Sequence, residues 1–354
     1  MNSPRFLTSR VTALAFGATA FAFAFAAVAA DDPEDADRSG WFVRLGGRVS
    51  SGMKATVRDT RPAGALAAGA YDDGFVQPGA GGNPALTANW GYRSAAQVKG
   101  NDLVFHRLDA APRVGERGGL KDDPQFGGEI VTGFEFFRFA IGKREARFGF
   151  EFGYSYSQFT VSDRAVATGS ATYTVDRFAL DAASAGNPVT PPLSPYAGAA
   201  GTPGPLIGLS PSAHTVLTTT GTSTLDCKLD SEFHNLRVGP WIEVPITSRM
   251  SLSLSAGYVA IYSSSHLDLA ESVAFTDPTV PVPAGASGRF IATHWSPGAY
   301  AQIRANYRLT RHVGVYVGGD IQHSTGATVG APGREARIEF GNTYGAVAGV
   351  SYTF

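Results

Sequence analysis

Alternation with a period of two runs through most of this chain. In the last stretch the apolar phase is Tyr344, Ala346, Ala348, Val350, Tyr352 and Phe354. The other phase is small or polar (Gly345, Gly349, Ser351, Thr353), with Val347 the exception. A period of two gives a strand one apolar and one lean face. The same pattern opens the chain at 41–57. There Trp41, Val43, Leu45, Gly47 and Val49 alternate with Phe42, Arg44, Gly46, Arg48 and Ser50. It recurs at 129–139 (Ile130, Thr132, Phe134, Phe136 against Glu129, Gly133, Glu135) and at 147–157 (Phe148, Phe150, Phe152, Tyr154, Tyr156 against Arg147, Gly149, Glu151, Gly153, Ser155). Further strands are expected at 233–246, 251–262, 299–307, 313–322 and 335–354. Pro240 and Pro245 in the first of these cannot donate ladder bonds, so they weaken the case for a strand there or mark a bulge.

Connection lengths alternate as well. Short turns fall at 142–145, 247–249 and 309–312. Longer stretches fall at 59–125, 161–228, 271–287 and 324–333. Eight strands with alternating short and long connections predict an all-β fold: an eight-stranded antiparallel up-and-down transmembrane β-barrel with long extracellular loops. Both chain ends then lie on the short-turn side. The stretch 59–125 is rich in Gly, Ala, Pro and Asp and carries a short candidate strand at 103–108. Within 161–228, the flanks 172–180 and 215–225 are β-branched and suit a projecting ribbon. Ten strands remain open if that ribbon belongs to the wall.

Alternation alone does not say which face meets lipid, because a soluble ligand-carrying barrel points its apolar phase inward. Charge decides it. The bulky apolar phase carries no charge over the middle of several strands. The opposite phase mixes glycines with Arg44, Arg48, Glu129, Glu135, Glu151, Arg237, Glu243, Arg304, Arg308 and Asp320. An eight-stranded interior is just wide enough for side chains to fill. Buried carboxylates without their arginines would be costly there. These ten residues are therefore expected to form a paired polar network in the lumen, with the apolar phase toward lipid and no open sheet edge.

Composition adds a destination. Arg5 and Arg10 precede an apolar stretch from 11 to 27 and a small-residue site around Ala27–Ala30, the pattern of a cleaved secretory leader over 1–30. An acidic segment, 31–40, follows, and the barrel is expected over 41–354. The balance of 29 basic and 30 acidic residues gives no reason to expect nucleic acid as a partner. Cys227 is the one cysteine, so no intrachain disulfide can form.

Leader, alternating strands, short inner turns, long outer stretches and terminal Phe354 together resemble the small outer-membrane barrels of the OmpA, OmpX and OmpW type. The likeness covers 41–354 and departs from that group in the size of the first two loops. It implies the outer membrane of a Gram-negative-type cell, with outer-membrane lipid and lipopolysaccharide as surroundings. It also implies the barrel-assembly machinery as a partner, reading a C-terminal signal at Tyr344, Val350, Tyr352 and Phe354. No cofactor and no metal are implied.

Some enzymes share that architecture. Outer-membrane deacylases use a His-x-Ser pair with a carboxylate. His323 and Ser324, near Glu335 and Glu339, have the wrong spacing, because adjacent strand residues point to opposite faces. Omptin-like proteolysis needs paired acids and an Asp–His pair, and no pattern links His266, Asp268 and His294. The histidines lack metal-ligand spacing. The glycine run 79–82 lacks the strand–helix context of a phosphate cradle. The expectation is a non-enzymatic structural or surface-interaction protein presenting large loops. Alternatives are a narrow channel or a transporter for small or hydrophobic molecules, and last a lipid-modifying hydrolase.

Overall fold

Eight of the alternating segments pair edge to edge until the last meets the first. A computed structural model describes residues 40–354 apart from 61–66, 80–84, 143, 181–188, 202, 278–279, 281 and 283–284. The expected leader, the acidic residues 31–39, Pro278, Pro281, Pro283 and glycines 81 and 82 lie outside the described residues. The wall strands are β1 (Trp41–Ser51), β2 (Gln125–Ile141), β3 (Arg144–Ala179), β4 (Ala213–Pro245), β5 (Met250–Phe275), β6 (Ala286–Arg308), β7 (Val313–Ser324) and β8 (Gly341–Thr353). Each pairs antiparallel with its sequence neighbour in the ring. Closure is made by β1 on β8, with Leu45 opposite Val350, while Leu45 also faces Ile130 of β2. Closing the ring removes the open edges that would otherwise recruit another chain.

The expected count of eight holds. The segments 172–180 and 215–225 do pair as a ribbon, with Thr172 opposite Thr218. They are continuations of β3 and β4, so they add length and no ninth or tenth wall strand. Pro240 makes no bulge. Val238 faces Tyr258 and Trp241 faces Ser255, one register on both sides of the proline. The irregularity lies in β2, between Glu135 and Phe137.

Two of the short turns, at 247–249 and 309–312, are built alike. Ile246 and Thr247 N–H both donate to the Met250 carbonyl, and Leu309 and Thr310 N–H to that of Val313. Thr247 Oγ1 accepts from the Arg249 and Met250 N–H groups, and Thr310 Oγ1 from those of His312 and Val313. A hydroxyl that accepts from the backbone two residues on fixes the turn locally.

Burial settles the faces. Phe42, Arg44, Arg48 and Ser50 of β1 are buried in the lumen, and Trp41, Leu45 and Val49 are exposed on the outside. The same holds for Glu151 and Ser155 against Phe152 and Tyr154, and for Arg304 against Ile303 and Tyr307. Val347, the exception in the last strand, is a lumen residue. The apolar outer phase of β3 runs from Phe148 to Tyr156, close to the roughly 9–11 residues that a tilted membrane strand needs. A row of direct cross-strand neighbours, Tyr156, His234, Tyr262 and Trp295, marks its upper margin across β3, β4, β5 and β6. Aromatic girdles of this kind sit at membrane interfaces.

Beyond that row the long stretches prove to be structured. β3 has 36 residues and β4 has 33, so both run far past the belt. Their inward phase changes chemistry there, from Glu151, Ser155 and Ser157 to Phe159, Val161 and Ala165. Four more strands cover this upper inward face. They are Ala327–Ala331, Arg334–Glu339, Lys54–Asp59 and Gly115–Leu120, paired in that order. Together they enclose a core that includes Ala55, Val57, Leu229, Leu267, Val329, Ile338 and Phe340.

Two expected strands are thereby corrected. The stretch 41–57 breaks at Gly52, where φ is +103° and a Cβ would lie 2.7 Å from the Asn342 carbonyl oxygen. The stretch 335–354 breaks at Phe340 and Gly341. Each first or last half leaves the wall to join the head. The expected loop 161–228 is mostly ribbon. The expected loop 59–125 contributes one covering strand, Gly115–Leu120, and a strand at Asp102–Ala110, where 103–108 was expected. A second small core, with Tyr71, Trp90, Leu103, Phe105, Phe178 and Ile207, joins this loop to the tip of β3.

Candidate functional site

Three regions concentrate the polar chemistry: the lumen, its mouth on the turn side, and the head. In the lumen two glutamates act as hubs. Glu129 of β2 accepts from Arg237 at 2.6 Å, lies 3.9 Å from Arg48, and accepts the Tyr316 hydroxyl at 3.2 Å. Glu151 of β3 accepts from Arg304 at 2.9 Å, lies 3.5 Å from Arg44, and accepts the Tyr300 hydroxyl at 3.5 Å. Arg48 also reaches Asp320 at 2.5 Å and Arg44 reaches Glu243 at 3.5 Å. Arg304 donates to Gln302 as well, which ties the hubs together with the Arg237–Gln302 bond of 3.3 Å.

Eight of the ten expected lumen residues meet in this network. Glu135 and Arg308 do not. They sit at the turn end, where Glu135 accepts from Arg138 at 2.5 Å and Arg308 donates to the Ser248 carbonyl. Tyr300, Tyr316 and Gln302 belong to the network and escaped the charge pattern. Their signal was position: all three stand in the lean phase. A glycine also pointed to Tyr316, since a Cβ on Gly46 would lie 2.4 Å from its hydroxyl oxygen. Above the network Phe233 stacks edge-on against Phe340 at 5.1 Å between ring centres. A cavity of about 20 Å³ lies between Arg48 and the aromatic cap, room for about one water.

Below the network the lumen opens into a vestibule of about 760 Å³. It is lined by seven arginines (Arg44, Arg138, Arg144, Arg147, Arg249, Arg308, Arg311) and His312, against Glu135, Glu145 and Glu243. Arg44 Nε and Nη1 and the Trp241 indole Nε1 are buried there without a hydrogen-bond partner among the described residues. Phe42 lies under the Arg44 guanidinium at 4.0 Å and packs edge-on against Trp241.

In the head, Asp176 accepts the Tyr71 hydroxyl at 2.7 Å and stands 2.6 Å from His214 Nδ1. Burial and that carboxylate push the Tyr71 phenol well above its usual range. His106 pairs with Asp73 at 2.7 Å. Asp72 accepts the Leu108 N–H at 2.6 Å, and burial raises its carboxyl despite that bond. These aspartates occupy backbone donors along the strand Asp102–Ala110. An Asp–His pair can relay a proton. Among the described residues, however, no hydroxyl or thiol hydrogen-bonds His214. His323 and Ser324 point to opposite faces as expected: His323 meets Asn342 outside and Ser324 is buried. Cys227 is buried in the head core, and burial pushes its thiol up.

The outer face of the head carries charge. Ser162, Lys228, Asp268 and Arg289 are direct cross-strand neighbours over β3 to β6. Arg164–Asp226 and Arg289–Asp268 each stand at 3.6 Å. They border a shallow concavity of about 700 Å³.

No family model matches the sequence, and no curated protein matches it. Solved structures offer a likeness of fold. The outer membrane protease OmpT of Escherichia coli is 12% identical, with 91% of this chain and 100% of that chain covered, at a TM-score of 0.30. The attachment invasion locus protein Ail of Yersinia pestis is 7% identical, with 89% and 99% covered, at 0.23. A FadL homologue of Pseudomonas aeruginosa is 12% identical, with 90% of each covered, at 0.18. At these scores the closed ring, the apolar belt and the polar lumen carry the fold, which is that of the small outer-membrane barrels.

Proposed function

We propose that this chain is an integral outer-membrane protein whose barrel anchors a large β-structured head for surface interaction. One observation carries the reading: the inward phase of β3 turns from polar to apolar just above the belt, at Phe159 and Val161, which pack with Leu229 of β4 and Leu267 of β5 in the core of the head. That change seals the lumen with a hydrophobic core and makes the head a folded platform continuous with the wall. Its charged outer ladder is the surface on offer, and exposed surface on rigid elements suits recognition. The barrel sits among outer-membrane lipid and lipopolysaccharide. Its last strand, with Tyr344, Val350, Tyr352 and Phe354 on the outer phase, is what the barrel-assembly machinery reads.

A filled lumen under an aromatic cap argues against a channel, since conduction needs a continuous wet path. Planar-bilayer recording tests this: purified protein is expected to give no single-channel steps. Regular steps from the intact chain would replace the proposal with the channel reading. In parallel, cells displaying the chain are expected to adhere to host-cell or bacterial surfaces. Reversing charge at Arg164, Lys228 and Arg289 is expected to reduce that adhesion while heat-modifiable mobility persists.

A further inference from the structure

The ribbon of β3 and β4 ends in a three-stranded tip: Asp102–Ala110, the last residues of β3 and the first residues of β4. Its two edges are treated differently. On the edge Asp102–Ala110 the ladder groups are taken. Asp72 N–H donates to the His106 carbonyl at 2.8 Å, Leu108 N–H to the Asp72 carboxylate at 2.6 Å, and His106 N–H to that of Asp73 at 2.9 Å. In the covering sheet, the edge strand Gly115–Leu120 is guarded by Glu116, Arg117 and a register shift against Lys54–Asp59. Covered groups, charges and irregularities of this kind keep an edge from recruiting another chain. The other tip edge lacks them. It reads Ala213-His214-Thr215-Val216-Leu217-Thr218-Thr219-Thr220, with no acid, lysine, arginine or proline, and holds one unbroken register on β3. β5 reaches along β4 only to Gly221, opposite Phe275, with one further bond from the Thr276 N–H to the Thr220 carbonyl at 3.0 Å. From there to Ala213, no described backbone pairs with the outer edge of β4.

A strand residue sends its N–H and C=O to one edge, and successive residues alternate. The Thr220 carbonyl faces the β5 side, so Thr218, Val216 and His214 present both groups to the open side. Past Asp277 the sequence carries Pro278, Pro281 and Pro283, which lack the N–H that a ladder needs. The edge is also self-complementary. Turned antiparallel on a second copy, Val216 stands opposite Val216, His214 opposite Thr218 and Thr215 opposite Leu217. No like charges face each other, and the contact is isologous. Copies in one membrane run β4 toward the bilayer together and do not meet antiparallel. Copies in facing membranes run it in opposite senses. Thr174, opposite Val216, stands eighteen residues beyond Tyr156 of the aromatic row. That is about 60 Å of strand, and it puts the edge at the far end of the head. We infer that residues 213–220 pair with the same strand of a second copy on another cell, joining two outer membranes through one antiparallel sheet. This inference rests on the surface-interaction reading and names its partner.

The test uses the full chain displayed on cells. Two populations in a Cys227→Ser background carry Thr215→Cys or Leu217→Cys. Pairing centred on Val216 sets these positions opposite each other at about 4.5 Å between Cα atoms, within disulfide reach. Mixed under a mild oxidant, the two populations are expected to clump. They should yield a disulfide-linked dimer at least ten-fold above either population alone. Val216→Pro removes an N–H from the open edge and leaves the β3 ladder its donors. Added to both populations, it is expected to cut clumping and dimer at least ten-fold while heat-modifiable mobility persists. Thr218→Lys, a charge on the same edge, is expected to do the same. Clumping and dimer that survive both substitutions would overturn the inference. Mixed cells that neither clump nor cross-link, yet adhere to host cells, would overturn it and leave the surface-interaction reading standing. Cells that do neither and adhere to no surface would overturn both.

Discussion

Arg237 and Glu129 meet at 2.6 Å inside the barrel, brought from β4 and β2 across 108 positions of sequence. Neither strand neighbours the other. One strand, β3, lies between them, so the pair spans β3 on its lumen face, where Gly153 stands directly opposite Arg237 in the ladder.

Breaking that pair by Glu129→Ala is expected to leave Arg237, and in part Arg48, buried without a counter-charge. Removal of one partner of a buried ion pair costs about 3–5 kcal/mol. The midpoint of urea unfolding in lipid vesicles should fall accordingly. Glu129→Ala with Arg237→Met should recover most of the loss. If the single variant unfolds like wild type, the network does not hold the barrel.

Packing in the lumen makes a second claim. Gly46 gives Tyr316 its place, so Gly46→Val brings methyl groups onto the tyrosine hydroxyl and the Ala348 carbonyl. Overpacking costs about 1–3 kcal/mol. The pair Gly46→Val, Tyr316→Phe should relieve part of it. Heat-modifiable gel mobility against temperature checks both.

The belt makes a third. Phe152→Arg places a charge on the outer phase in mid-belt and is expected to cost about 2–4 kcal/mol. Gln158→Arg stands beyond the aromatic row on the same strand and should cost about 0–1 kcal/mol. Vesicle folding equilibria measure both, and equal costs would remove the boundary at Tyr156.

Burial pushes the Cys227 thiol up in the head. A folded pKa above the unfolded one favours the neutral thiol. Its contribution is present below the unfolded value of about 8.5 and is lost as pH rises further. The head of the wild type should therefore lose stability relative to Cys227→Val as pH climbs past about 8.5, followed by proteolysis of the ribbon. A pH-independent difference would mean that the thiol does not titrate in the unfolded head.

Deleting Phe354 is expected to lower the yield of the heat-modifiable form, since the last strand closes the ring and Phe354 N–H donates to the Trp41 carbonyl at 3.1 Å. Unchanged yield in the membrane fraction would deny the last residue a role in assembly.

The wall was legible because its signal is local. Period two, small lumen glycines and short turns mark each strand without reference to its neighbours. The charged lumen residues were legible too, because burial without a partner is too costly to be accidental. The head was not. At Ser157 and Gln158 the two phases of β3 exchange chemistry: Phe159 and Val161 turn inward and Ser162 and Arg164 outward. An alternation that flips phase reads as a strand ending, although the backbone runs on to Ala179. The same flip hides the upper part of β4, where Leu225, Cys227 and Leu229 face in. Tyr300 and Tyr316 were obscured because tyrosine on a membrane barrel suggests a girdle, while here it supplies a hydroxyl to a buried carboxylate.

The most direct measurement follows that flip. Single cysteines on the outer phase of β3, from Phe148 to Arg164 in a Cys227→Ser background, would carry nitroxide labels in reconstituted protein. Their collision rates with oxygen and with a water-soluble nickel chelate would be read position by position. Labels at 148 to 154 should favour oxygen, label 156 should stand at the crossover, and labels 158 to 164 should favour the chelate. A uniform profile along the strand would contradict a membrane barrel whose interior and exterior exchange chemistry at the aromatic row.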